Sequence, residues 1–167
     1  MKIYNFKTWF ILLCFAVLTF TVSCSKDDSP EDIEKAEALS VTEEIFQLVN
    51  AHRVGIGEES LAINDLAIVL AEEHTHYMIV QNDISHDNFD ERSDRLFNEE
   101  NASRTGENVA YGQQSAKDVM EAWLNSQGHR ENIEGDFTHI GISVIKNNSG
   151  VYYFTQIFLK KRLEPNT

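Results

Sequence analysis

From Tyr152 onward, Tyr152, Phe154, Gln156 and Phe158 alternate with Tyr153, Thr155 and Ile157. Alternation at period two marks a strand, whose successive side chains point to opposite faces. Here both sets are apolar or amphipathic, so neither face suits open water. Helices are therefore expected on both sides of the sheet. A second alternating run comes just before it. Ile140, Ile142 and Val144 alternate with Gly141, Ser143 and Ile145, and Asn147-Asn148-Ser149-Gly150 supplies the turn.

Upstream the period changes. Ile45, Phe46, Leu48 and Val49 recur at helical spacing from Val41, with Thr42 as a candidate cap and Gly55 and Gly57 as the stop. A second helix is predicted from Asn64 to about Gln81, and a shorter one over Asp90 to Glu100. Ser115-Ala116-Lys117-Asp118 has the spacing of a helix start, followed by Val119, Met120, Trp123 and Leu124 as a buried face. Helices first and a hairpin last predict an α/β fold: an α-β-α sandwich whose small antiparallel sheet is covered by helices.

The N-terminus belongs to another kind of segment. Lys2 and Lys7 precede an apolar run from Trp9 to Val22, shorter than the roughly 20 residues a spanning helix needs. Thr21-Val22-Ser23-Cys24 closes it, with the small Ser23 before Cys24. This reads as a lipoprotein signal peptide over residues 1–23 with Cys24 as the lipidated residue. A plain signal peptide or an uncleaved anchor is the competing reading. Residues 24–40, acidic and with Pro30, read as a flexible tether, 41–162 as the domain and 163–167 as a tail. After processing Cys24 is the sole cysteine, so no internal disulfide forms and the core alone holds the domain.

The chain has 14 basic and 27 acidic residues, a net charge of −13. Removing residues 1–23, which hold two lysines and no acid, takes it to −15. Such a surface is repelled by phosphate backbones and anionic headgroups, which argues against nucleic acid. Membrane contact is expected through the acyl chains on Cys24, with the domain extracytoplasmic and monomeric.

All six histidines lie in the mature chain: His52, His74, His76, His86, His129 and His139. No cysteine joins them, which excludes a finger-type zinc site. His74 and His76 point to different helix faces, and HExxH is absent. His52 and His76 read as surface residues, and His74 as a packed helix residue. His86 follows the second helix, where loops collect functional groups. Glu107 sits in Gly106-Glu107-Asn108-Val109-Ala110, and His129 follows the glycine break in Trp123-Leu124-Asn125-Ser126-Gln127-Gly128-His129-Arg130-Glu131-Asn132-Ile133.

A histidine after the second helix, then GENVAYG, WLNSQGHRENI, FTHIGISV and YYFTQIF, in that order, resembles the CAP superfamily of cysteine-rich secretory, antigen 5 and pathogenesis-related-1 proteins. The resemblance runs from about Glu43 to Leu159, in the manner of the short bacterial branch that lacks disulfides. It implies that His86 and His129 are cavity histidines and Glu107 the glutamate of the GEN motif. The family's second glutamate, three residues after the tryptophan, is Ser126 here. Asn108, Asn132, His139 and Gln156 fall in family-like segments as hydrogen-bonding supports.

Two neutral imidazoles offer lone pairs to a divalent ion such as zinc, with Glu107 adding oxygen or orienting a ring. Alternatively Glu107 only locks its loop to the helices. The expected function is an extracytoplasmic binding module with a His/Glu-lined cleft for a metal or a lipid-like or protein ligand. The alternative is a metal-assisted hydrolase using His86, His129 and Glu107. Enzyme activity is the less favoured reading: no nucleophile–base pair is defensible, and Ser126 lacks the partners a triad needs.

Overall fold

The computed structural model describes residues 29–162. The signal segment, Cys24 and the tail over 163–167 lie outside the described residues. The order is α1 (Pro30–Ile56), β1 (Ala62–Ile63), α2 (Asp65–Gln81), α3 (Phe89–Glu99), β2 (Ala102–Tyr111), α4 (Ala116–Asn125), α5 (Gln127–Ile133), β3 (His139–Lys146) and β4 (Tyr152–Lys161). The sheet runs β1-β3-β4-β2. Strands β3, β4 and β2 are antiparallel neighbours, and β1 adds two residues parallel to β3.

Both faces of β4 are covered. Phe154 and Phe158 pack with Ile45 and Val49 of α1, Trp123 of α4 and Ile133 of α5. Ile157 and Leu159 pack with Ala67, Leu70 and Ala71 of α2 and Leu96 of α3. This is the α-β-α sandwich that the two-sided apolar strand required. Trp123 stands edge-on to Phe154, and its indole N–H donates to the Val109 carbonyl at 3.3 Å. Gly141 lets α2 lie directly on β3: a Cβ there would come within 2.1 Å of the Ala67 backbone.

Local chemistry sets the helix ends. The Asn64 side chain accepts the Ala67 N–H at 2.8 Å and starts α2. Gly57, left-handed at φ 90°, ends α1. The start of α1 differs from the sequence reading. The stretch 24–40, read as a flexible tether, is helical from Pro30. Ser29 and Asp32 form a reciprocal capping box, Pro30 occupies the first turn, and Glu31 and Asp32 face the positive helix end. Thr42 is therefore not a cap but lies inside the helix, its hydroxyl donating to the Ala38 carbonyl at 2.9 Å. The Lys146 ammonium holds Glu37 at 2.7 Å and ties the extension to β3. Strand β2 is an element the sequence reading treated only as a motif.

A fully buried arginine closes the end of α1. Arg53 donates to the carbonyls of Glu59, Ile133 and Gly135, each at 2.8 Å, and of Phe137 at 3.4 Å. It fastens the segment after α5 to α1. Burial pulls its pKa below the ordinary guanidinium value, opposed by the charges of Glu58 and Asp136.

Candidate functional site

Strand β2 lies at the sheet edge, and its side chains alternate between layers. Glu107 points toward α2 and α3, and Asn108 toward α5. These consecutive residues organise two different polar clusters.

The Glu107 carboxylate is buried and surrounded by donors. Arg92 of α3 donates from Nε to Oε2 at 2.8 Å and from Nη2 to Oε1 at 2.9 Å. His86 donates from Nδ1 to Oε1 at 2.8 Å. The third arm of the guanidinium, Nη1, reaches back to the Asp87 carbonyl at 2.8 Å. Arg92 therefore grips both the carboxylate and the loop that carries His86. That loop is bounded by Asn82 and Asn88, both left-handed, a conformation asparagine tolerates better than most residues. The Glu107 side chain is 1% exposed, but that of His86 is 53% exposed. The cluster is thus a buried ion pair wired to a surface imidazole.

His74 of α2 completes this side. Its Nε2 donates to the Ser85 carbonyl at 2.7 Å and lies 3.8 Å from Glu107 Oε1. Its ring stacks on Tyr77 at a centroid distance of 5.9 Å. Burial lowers its pKa most, and the Glu107 charge opposes that shift.

The Asn108 cluster is built from neutral amides. Asn108 Nδ2 donates to the His129 carbonyl and to Gln156 Oε1, both at 3.1 Å. Asn132 Nδ2 donates to Asn108 Oδ1 at 2.9 Å and to the Glu107 carbonyl at 3.0 Å. Gly106 makes room for this approach: a Cβ would come within 2.8 Å of Asn132 Oδ1. His129 belongs to α5 on this side. Its pKa is lowered first by burial and then by the charge of His86. Among the described residues no hydrogen bond joins the two imidazoles, but they are near enough to repel as cations.

Two of the residues singled out in the sequence lie apart from these contacts. Ser126 is the corner between α4 and α5; its N–H donates to Trp123 and its carbonyl accepts from Arg130. Among the described residues no hydrogen bond links its hydroxyl to His86, Glu107 or His129. His139 begins β3, two strands away from β2, with Nδ1 2.8 Å from the Thr138 hydroxyl. Its pKa is lowered by burial first, then by Lys161, with Glu100 opposing. It supports that end of the sheet, not the Glu107 cluster, because β4 separates the two strands. Sequence reasoning passed over Arg92 altogether and left His74 as packing.

The donor set does not suit a resident zinc ion. Both Glu107 oxygens are bonded to a cation already and Nε2 of His74 is spent on Ser85, so zinc would have at most Nε2 of His86 and the ring of His129, short of the three or four protein ligands it takes. Among the described residues, no three His, Cys, Asp or Glu side chains are grouped to hold a metal. A depression of about 220 Å³ lies between α2 and α3, bordered by His74, Tyr77, Asn88 and Arg92. Another of about 350 Å³ lies between α1 and α4, bordered by Leu48, Met120 and Leu124. Neither is bordered by His86 or His129.

With this geometry the chain can be set beside known proteins. The model of the cysteine-rich secretory protein family, CAP, matches residues 46–158, from α1 through β4. The chain belongs to the CAP family. The Bacillus subtilis (strain 168) membrane protein YlbC is 33% identical over 136 residues, 77% of this chain and 37% of that protein. YkwD of the same organism is 46% identical over 57 residues, 34% of this chain and 21% of that one. The CAP chain here thus spans well under half the length of these curated relatives. Among solved structures, an extracellular Bacillus anthracis protein containing an SCP domain superposes with a TM-score of 0.69 at 28% identity. That match covers 82% of this chain and 45% of the other. An outer surface protein from Borrelia burgdorferi gives 0.67 at 23% identity, covering 74% and 94%, and so speaks to the CAP fold alone.

Proposed function

We propose that this chain is an extracytoplasmic binding module, held to the bacterial cell envelope by acylated Cys24, with His86 at the centre of its ligand site. The observation that carries the reading is the state of Glu107. A buried carboxylate that neutralises a guanidinium and accepts an imidazole N–H is committed to holding those partners rather than to serving as a general base or activating water. What reaches the surface is an imidazole nitrogen, a group suited to recognition. The extracellular character of the similar Bacillus anthracis protein supports the location. The short apolar run ending at Ser23-Cys24 supports the anchor. The net charge of −13 argues for ligands other than nucleic acid.

The ligand class we favour is lipid-like, and the chain acts as a monomer. The test is to incubate the mature chain with a bacterial membrane lipid extract, repurify it and measure retained lipid by mass spectrometry. Retention that is lost in His86→Ala is expected. Retention unchanged in His86→Ala contradicts the site, and zinc-dependent turnover of a peptide or cell-wall substrate favours the hydrolase. For the anchor, Cys24→Ser is expected to move the protein from the membrane to the soluble fraction. A variant that fractionates and migrates like wild type would remove Cys24 from that role.

A further inference from the structure

We propose that Arg92 is the resident cation of this site and fixes His86 with its Nε2 lone pair outward, so that the site receives a hydrogen-bond donor, a hydroxyl or an amide, rather than a metal ion. This rests on the reading of His86 as the binding group and adds the chemistry of what it binds. Arg92 is a positioning residue: it acts through Glu107 and through the loop.

Three features carry the inference. The first is the fork. Nε of Arg92 donates to Oε2 at 2.8 Å, and Nη2 lies between the two oxygens, 2.7 Å from Oε2 and 2.9 Å from Oε1, so one planar guanidinium spans the carboxylate as a single ammonium does not. The pair is out of water, with side-chain exposures of 9% for Arg92 and 1% for Glu107. Glu107 is thus already paired with a cation and is not a free ligand for a divalent ion.

The second is the direction of the His86 bond. Every contact to the carboxylate comes from a donor, so His86 Nδ1, 2.8 Å from Oε1, carries its proton there. A neutral ring with Nδ1–H has its lone pair on Nε2. Neutral histidine in water prefers the opposite form, so the site selects the less common tautomer. Since the side chain is about half exposed, that lone pair is available to a ligand.

The third is the loop. Nη1 of Arg92 donates to the Asp87 carbonyl at 2.8 Å, next to His86 in the chain. One guanidinium therefore holds both the acceptor of the His86 bond and the backbone that presents the ring. His74 does not compete, because its Nε2 is occupied by the Ser85 carbonyl.

The test is a long-range proton–nitrogen correlation spectrum of the 15N-labelled mature chain, recorded where the imidazoles are neutral. His86 is expected in the Nδ1–H form. In Arg92→Lys, which keeps the charge but cannot bridge both oxygens and the loop, the His86 signals are expected to shift toward the Nε2–H pattern. If Arg92 served the fold alone, a folded Arg92→Lys would leave the His86 pattern at the wild-type position, and the proposal would be overturned. Should that variant fail to fold, the wild-type spectrum still decides: His86 in the Nε2–H form refutes the proposal. Zinc chloride added to one equivalent is expected to leave the His86 and His74 signals of the wild type unmoved. Zinc bound at one equivalent on His86 overturns it. A wild type in the Nδ1–H form that retains no lipid contradicts the proposed function and supports the assignment of Arg92.

Discussion

Two arginines are buried in this domain, and their surroundings teach different lessons. Arg53 donates only to backbone carbonyls, those of Glu59, Ile133, Gly135 and Phe137. Those bonds join one helix end to the segment after another, and they lead to no titratable group at the surface. Arg92 spends two of its arms on the Glu107 carboxylate, which in turn holds the half-exposed His86. Burial of a charge is common to both and so does not mark a site. The mark is a buried charge connected through hydrogen bonds to a group that solvent and ligands reach.

The comparison is open to breaking by mutation. Arg92→Met leaves a buried carboxylate without its counterion, and is expected to lower unfolding free energy by about 3–5 kcal/mol in chemical denaturation. Pairing it with Glu107→Leu removes the stranded charge, and most of the loss is expected to return, since apolar replacements of buried pairs are often near neutral. A double variant no more stable than Arg92→Met would contradict the pairing. Arg53→Met strands neutral carbonyls instead and is expected to lower unfolding free energy by about 1–3 kcal/mol. No single second substitution restores it, because its partners are backbone. If one side-chain change rescued Arg53→Met as Glu107→Leu rescues Arg92→Met, the two arginines would not differ in kind.

Much of the fold is legible in the chain because its signals are local. Asn64, Gly57 and Ser115 sit at the ends they were read to make, and the two-sided strand over 152–158 led directly to helices on both faces. The tether over 24–40 went unread as helix because acidic composition and a proline suggest solvated coil. The same residues, in the order Ser-Pro-Glu-Asp, are a capping box. The site is less legible. Glu107 and His86 stand out by position, at a glycine and a helix end. Arg92 does not: in Asp90-Glu91-Arg92-Ser93-Asp94-Arg95 it looks like one charge of a solvated face. Its partner is fifteen residues on, across a strand, as the sequence separation of their hydrogen bond records. The same cause hid His74, whose role comes from the Ser85 carbonyl after the helix has ended.

A smaller effect sharpens the contrast from the solvent side. Burial depresses the folded-state pKa of His74 on the Glu107 side, of His129 on the Asn108 side and of His139 on β3. A histidine whose folded pKa lies below its unfolded value takes up protons more readily when unfolded. Its contribution is present above the unfolded value of 6.5 and is lost as pH falls below it. Denaturant midpoints are therefore expected to drop as pH is lowered through that range, and less so in His74→Gln. A midpoint that holds level or rises there would contradict the assignment.

The most direct test of the central claim is a crystal structure of the mature domain grown with zinc at saturating concentration, with anomalous data at the zinc edge. The account expects the Arg92 guanidinium across both oxygens of Glu107, His86 bonded through Nδ1, and no anomalous peak beside them. A zinc peak on His86 and Glu107, with Arg92 swung away, would contradict it.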